Sequence, residues 1–63
     1  MFLHVPYHWW TPDNGEGFAD EILQVAGLPK TSGDVLALKT MIGSRNHLDP
    51  ELITLFAWTV LGE

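Results

Sequence analysis

His4 and His8 stand four residues apart in "LHVPYHWW" (3–10), and His47 is the third histidine of the chain. Neutral imidazole is a common metal ligand, and on a helix two histidines at this spacing converge on one ion. Pro6 lies between them. Proline breaks a helix interior but is tolerated in an edge strand or an extended arm. Extended, four residues span about 13 Å, too far for both rings to reach one ion without a bend. The three histidines are therefore read as surface or hydrogen-bonded groups. A small ligand- or metal-binding helical module using His4, His8 and His47 is kept as an alternative.

Acid–base and nucleophilic chemistry find less to work with. Asp13 with Glu16, and Asp20 with Glu21, are close in sequence, but loop and helix-start roles account for both pairs. No serine, threonine or lysine sits in a nucleophile motif, and no glycine-rich phosphate loop follows a strand. A chain of 63 residues also offers little room for a water-excluding pocket. The expectation is a non-enzymatic protein with no cofactor and no metal.

Composition narrows the partners. Eight acids against Lys30, Lys39 and Arg45 give a net charge of −5. Three scattered cations cannot track a phosphate backbone or an anionic bilayer, which argues against direct nucleic-acid or membrane binding. There is no cysteine, so neither a disulfide nor a thiolate metal site can staple a fold that is small enough to need one. The first ten residues lack the cationic start and long aliphatic stretch of a signal peptide. The longest apolar run, residues 52–61, is about half of the ~20 residues that span a bilayer. A soluble, cytoplasmic chain is expected.

The elements that would position these residues read as one small, mainly α domain over 1–63, with an arm and loop (1–17) ahead of three helices. Residues 2–10 form an extended aromatic arm with Leu3, Val5, Tyr7 and Trp9 on one face and Phe2, His4, Pro6, His8 and Trp10 on the other. "TPDNGEG" (11–17) is dense in turn residues and reads as a loop. Helix 1 is expected over 18–26, from the stripe of Phe18, Ile22, Val25 and Ala26. Helix 2 is expected over 33–42, capped by Thr31 or Ser32 with Asp34 in its first turn, striped by Val35, Leu38, Met41 and Ile42, and ended by Gly43. Helix 3 is expected over 50–61, with Asp49 as cap and Pro50 in the first position.

Residues 34–62 resemble the C-terminal tail of HD-GYP-type phosphodiesterase domains. The match runs through Ala37, Leu38, Met41 and Gly43 and then Leu48 to Ile53, where "LDPELI" opens the following helix. That family's His-Asp metal ligands and Gly-Tyr-Pro motif are absent. The resemblance implies a similar helix–turn–helix packing and transfers no activity.

Helix 3, "LITLFAWTVL", would be apolar on every side, which two short helices and an arm cannot cover. The arm, as a lone strand, would leave its ladder groups unpaired. Both features point to a protein–protein interaction module, such as an accessory subunit, a small inhibitor or a regulator. Its partner would be another protein or a second copy of itself, met through His8, Trp10, Leu55, Trp58 and Leu61. The competing reading is an acidic mimic that blocks a nucleic-acid-binding protein.

Overall fold

The computed structural model describes residues 1–13 and 15–62. Asn14, within the segment expected to form a loop, lies outside them, as does Glu63. The elements in chain order are β1 (Phe2–Trp10), β2 (Glu16–Gln24), α1 (Ser32–Asn46), a single 3-10 turn (Pro50–Leu52), β3 (Ile53–Leu55) and β4 (Thr59–Val60). This is one helix with a four-stranded antiparallel sheet, and the three-helix, mainly α expectation is wrong.

The extended character of residues 2–10 holds, but β1 is no peripheral arm. It is the central strand, paired with β2 on one side and with β3 and β4 on the other. The β1–β2 register runs without a break from Phe2 opposite Gln24 to Trp10 opposite Glu16. Thr11 N–H donates to the Gly15 carbonyl (2.8 Å), closing the hairpin. Met1 and Val25 exchange backbone hydrogen bonds at its other end. By the alternation of an antiparallel ladder, the odd residues of β1 turn their N–H and C=O toward β2, and the even residues turn theirs toward β3 and β4.

That parity explains an awkward residue. Pro6 sits mid-strand with no N–H to give, and proline is disfavoured in a central strand for that reason. The missing donor faces β3 and β4, and there the third strand is interrupted. Tyr7 lies opposite Leu55 and His4 opposite Thr59, so Val5 and Pro6 face the three residues Phe56, Ala57 and Trp58. The extra residue is a bulge-like break. The Pro6 carbonyl still accepts a bond from Phe56 N–H at 3.3 Å.

Helix 1 does not form. Residues 18–26 favour a helix locally, but Glu16–Gln24 pairs along the whole of β1. A nine-residue ladder outweighs propensity differences of a few tenths of a kcal/mol per residue. Gly17 meets the Trp9 indole across the strands, where an added Cβ would stand 3.0 Å from the ring.

Helix 2 is present and longer than expected. Thr31 caps it: its hydroxyl accepts from Asp34 N–H (3.1 Å), and the Asp34 carboxylate accepts from Thr31 N–H (3.3 Å) and Lys30 N–H (3.0 Å). α1 passes through Gly43 and ends at His47, which takes the left-handed conformation (φ 57°, ψ 43°). Gly43 is a crossing point instead of a terminator. The Leu48 carbonyl runs so close that only glycine fits without a shift.

Helix 3 is absent too. Asp49 does cap, its carboxylate accepting from Glu51 N–H at 2.9 Å, and Pro50 does open a turn. The turn stops after Leu52 because Ile53 onward lies against the second edge of β1. The resemblance's helix–turn–helix packing is therefore not formed.

The core is the inner face of this sheet under α1. Leu3, Val5 and Tyr7 from β1, Leu23 from β2 and Ile53 from β3 close over Leu38 and Ile42 of the helix. Trp9, Val25, Leu48, Leu55 and Trp58 pack around its margin. Met41, expected in the helix's apolar stripe, is exposed instead.

Candidate functional site

α1 covers one face of the sheet, and among the described residues no element covers the other. An antiparallel sheet commonly keeps one face in water, but that face is then polar. Here the even residues of β1 and β2 put Phe2, Trp10, Phe18 and Ile22 on the open side, and Phe56 joins them from the bulge. Phe18 is 75% exposed, Phe56 56% and Ile22 55%. The Phe18 and Phe56 rings stack across β1 at 5.7 Å and 21°, and His8 tilts against Phe18 at 4.9 Å. Such pairs favour offset-stacked or tilted geometry and hold each other's orientation. The result is a preset aromatic surface on a rigid ladder.

Polar groups lie among these rings. His4 Nε2 lies 2.8 Å from Asp20 Oδ2, a diagonal pair across the β1–β2 ladder. Thr54 and Thr59 stand opposite His8 and His4 in the register. Glu16 and Asp20 carry the negative charge of β2's outer side, and none of the three cations lies on the sheet. Glu21 points to the helix side, where Arg45 (3.4 Å) and Asn46 (3.0 Å) meet it. The seven described acids are therefore divided between faces, loops and caps, without the single ranked face that nucleic-acid mimicry needs.

The five residues expected to meet a partner separate in the structure. His8 and Trp10 are on the open face, half-buried and exposed respectively. Leu55 lies opposite Tyr7, hence on the core side, and Trp58 also packs against the core. Leu61 is half-buried beyond β4 and donates its N–H to the Phe2 carbonyl at 3.0 Å. They cannot form one patch, because the apolar helix that was to carry three of them does not exist. Phe18 and Phe56, the most exposed aromatics, went unnoticed as site residues. The signal for Phe18 was the "TPDNG" turn between two β-compatible runs, a hairpin pattern that would have put it opposite His8.

The histidines stay apart. His4 is held by Asp20, His8 lies on Phe18, and His47 caps the helix C-terminus. Among the described residues no three His, Asp or Glu side chains are placed to hold a metal ion. No described helix is long and apolar enough to cross a membrane.

No family model matches the chain, and no solved structure matches it. Over 60 residues it is 35% identical to NADH-quinone oxidoreductase subunit N of Gluconacetobacter diazotrophicus, an alignment covering 94% of this chain. The chain spans 11% of the length of that curated relative.

Proposed function

We propose that this chain is a non-enzymatic protein–protein interaction module that docks through the open face of its sheet. The observation that carries the reading is the exposed Phe18–Phe56 stack on a face that no described element covers. Exposed apolar patches of this kind mark interaction sites, and aromatic residues dominate interface energetics. Removing Phe18, Ile22 and Phe56 from water is worth roughly 1.5–3 kcal/mol each at full burial, about 4.5–9 kcal/mol together, which is comparable to the cost of association and makes them anchors of a contact that also draws on neighbouring groups. The similar protein is, by its name, one subunit of an oxidoreductase, which is in keeping with a role in contact with other chains.

Photo-crosslinking tests this in the native cell. A photoreactive phenylalanine analogue at position 18 is expected to give discrete protein adducts, lost when Phe56→Ser is added. The same analogue at Leu36, also exposed but on the helix, is the control and is expected to give none. Phe56→Ser removes the stack with Phe18 but no core residue, so it is expected to cost no more than about 0.5–1.5 kcal/mol and to leave the chain folded. Equal labelling at both positions, or none at position 18, refutes the reading.

A further inference from the structure

The open face has an open border. Among the described residues β2 is the terminal strand of the sheet, paired with β1 alone. Since its odd residues bond to β1, the N–H and C=O of Glu16, Phe18 and Asp20 point outward along the edge. Among the described residues nothing bonds to these groups. The next carbonyl along, that of Ile22, takes a 3.3 Å bond from Arg45 Nη1.

Folded proteins blunt a sheet edge with short strands, bulges, prolines or lysines. The opposite border follows that rule, broken into pieces of three and two residues. On the β2 edge only the carboxylates of Glu16 and Asp20 play that part. The edge is nine residues long, unbroken in register, and carries neither lysine nor proline.

Charge decides what the edge accepts. Among the described residues Glu16 and Asp20 stand on it without a lysine or arginine partner, Asp20 meeting only the His4 imidazole at 2.8 Å, with Phe18 and Ile22 alternating between and beside them. A second copy is a poor occupant. Antiparallel pairing of two β2 edges about Asp20 would set carboxylate against carboxylate between molecules that each carry −5. An extended segment whose every second side chain lies on the open face, cationic and aliphatic in turn, satisfies every feature at once. Its backbone completes the ladder at Phe18 and Asp20, its cations meet Glu16 and Asp20, and its aliphatic groups extend the Phe18–Ile22 surface.

We infer that the partner seats a basic, extended segment on the β2 edge as an added strand. This rests on the proposed interaction role and names the chemistry of its partner.

The test uses the full chain and a nine-residue capped peptide with threonine at its even positions and arginine and valine taking turns at the odd ones. Calorimetry is paired with amide hydrogen exchange. Binding is expected, with exchange at the Phe18 and Asp20 amides slowed at least tenfold. Methylating the peptide's alternate backbone nitrogens should weaken binding about tenfold or more, since the ladder donors are lost. The same peptide with glutamate in place of arginine should not bind, and Asp20→Lys, checked for folding by circular dichroism, should weaken the arginine peptide by about tenfold and let the glutamate peptide bind. Binding that ignores N-methylation, or leaves both amides unprotected, overturns the edge assignment. Protection that instead rises with protein concentration in the absence of peptide overturns it in favour of self-pairing. No peptide binding alongside persistent position-18 crosslinks overturns the basic strand and leaves the interaction role standing; loss of both overturns both.

Discussion

Gly43→Ala puts the tertiary arrangement to a quantitative test. In an open helix interior, alanine is better than glycine by roughly 0.5–1 kcal/mol, because glycine loses more backbone freedom on folding. At Gly43 the sign reverses. A Cβ there would lie 2.5 Å from the Leu48 carbonyl oxygen and 3.3 Å from Pro50 Cγ, where ordinary contact begins near 3.4 Å. The obstacle is backbone, and it is tied in place by the 2.9 Å bond from Leu48 N–H to the Gly43 carbonyl. Overpacking of this kind costs about 1–3 kcal/mol, and a clash of about 0.9 Å with a fixed atom belongs at the upper end. Setting the propensity gain against it leaves a net loss of about 1–2 kcal/mol. In a domain of this size the total stability is only about 3–5 kcal/mol. At about 4–8 °C per kcal/mol, Tm falls by roughly 4–16 °C. Thermal and urea melts followed by circular dichroism read the effect. Gly33→Ala is the internal control, since its Cβ would meet only Thr31 Oγ1 at 3.6 Å and should be neutral or stabilising. If Gly43→Ala matches or exceeds wild type, the 48–50 segment does not cross α1 this closely. The seating of β3, and with it Phe56 on the open face, would then be wrong.

Two further outcomes follow from the ends of α1. Asp34 is held below its ordinary value of 3.8, first by the backbone N–H of Lys30 and then by Thr31. A carboxyl depressed in the fold stabilises above its unfolded value, and that contribution is lost as pH falls from 3.8 through the folded value. Acid titration of stability should therefore show a loss in that window which Asp34→Asn removes; an unchanged acid limb would count against the cap. At the other end, His47 holds φ 57° without being glycine. His47→Gly should raise stability by about 0.5–1 kcal/mol in urea melts, and a destabilised variant would contradict the left-handed cap.

The candidate surface was half legible in the residues. The two-residue period divides 2–10 into Leu3, Val5, Tyr7 and Trp9 against Phe2, His4, His8 and Trp10, and the structure keeps that division. Which face meets solvent depends on where α1 lies, and period alone does not say. Phe18 and Ile22 are spaced for one side of a helix and, equally, for one side of a strand, since four residues return to the same face in both. Nothing local separates these geometries in so short a run. Leu55 and Trp58 were misplaced by the same ambiguity, one element further along.

What the residues determined by themselves was settled within a few positions: a helix start at Thr31 or Ser32 with Asp34 in its first turn, the Asp49 cap with Pro50 behind it, the extended backbone around Pro6. Each depends on a side chain reaching its own neighbourhood, so any fold containing the segment would keep it. Only the tertiary structure decided that 16–24 and 53–60 are strands, because a ladder draws its hydrogen bonds from residues distant in sequence. β1 supplies both edges, and once it is laid across the helix, two segments with helical leanings gain more by pairing with it than by coiling alone.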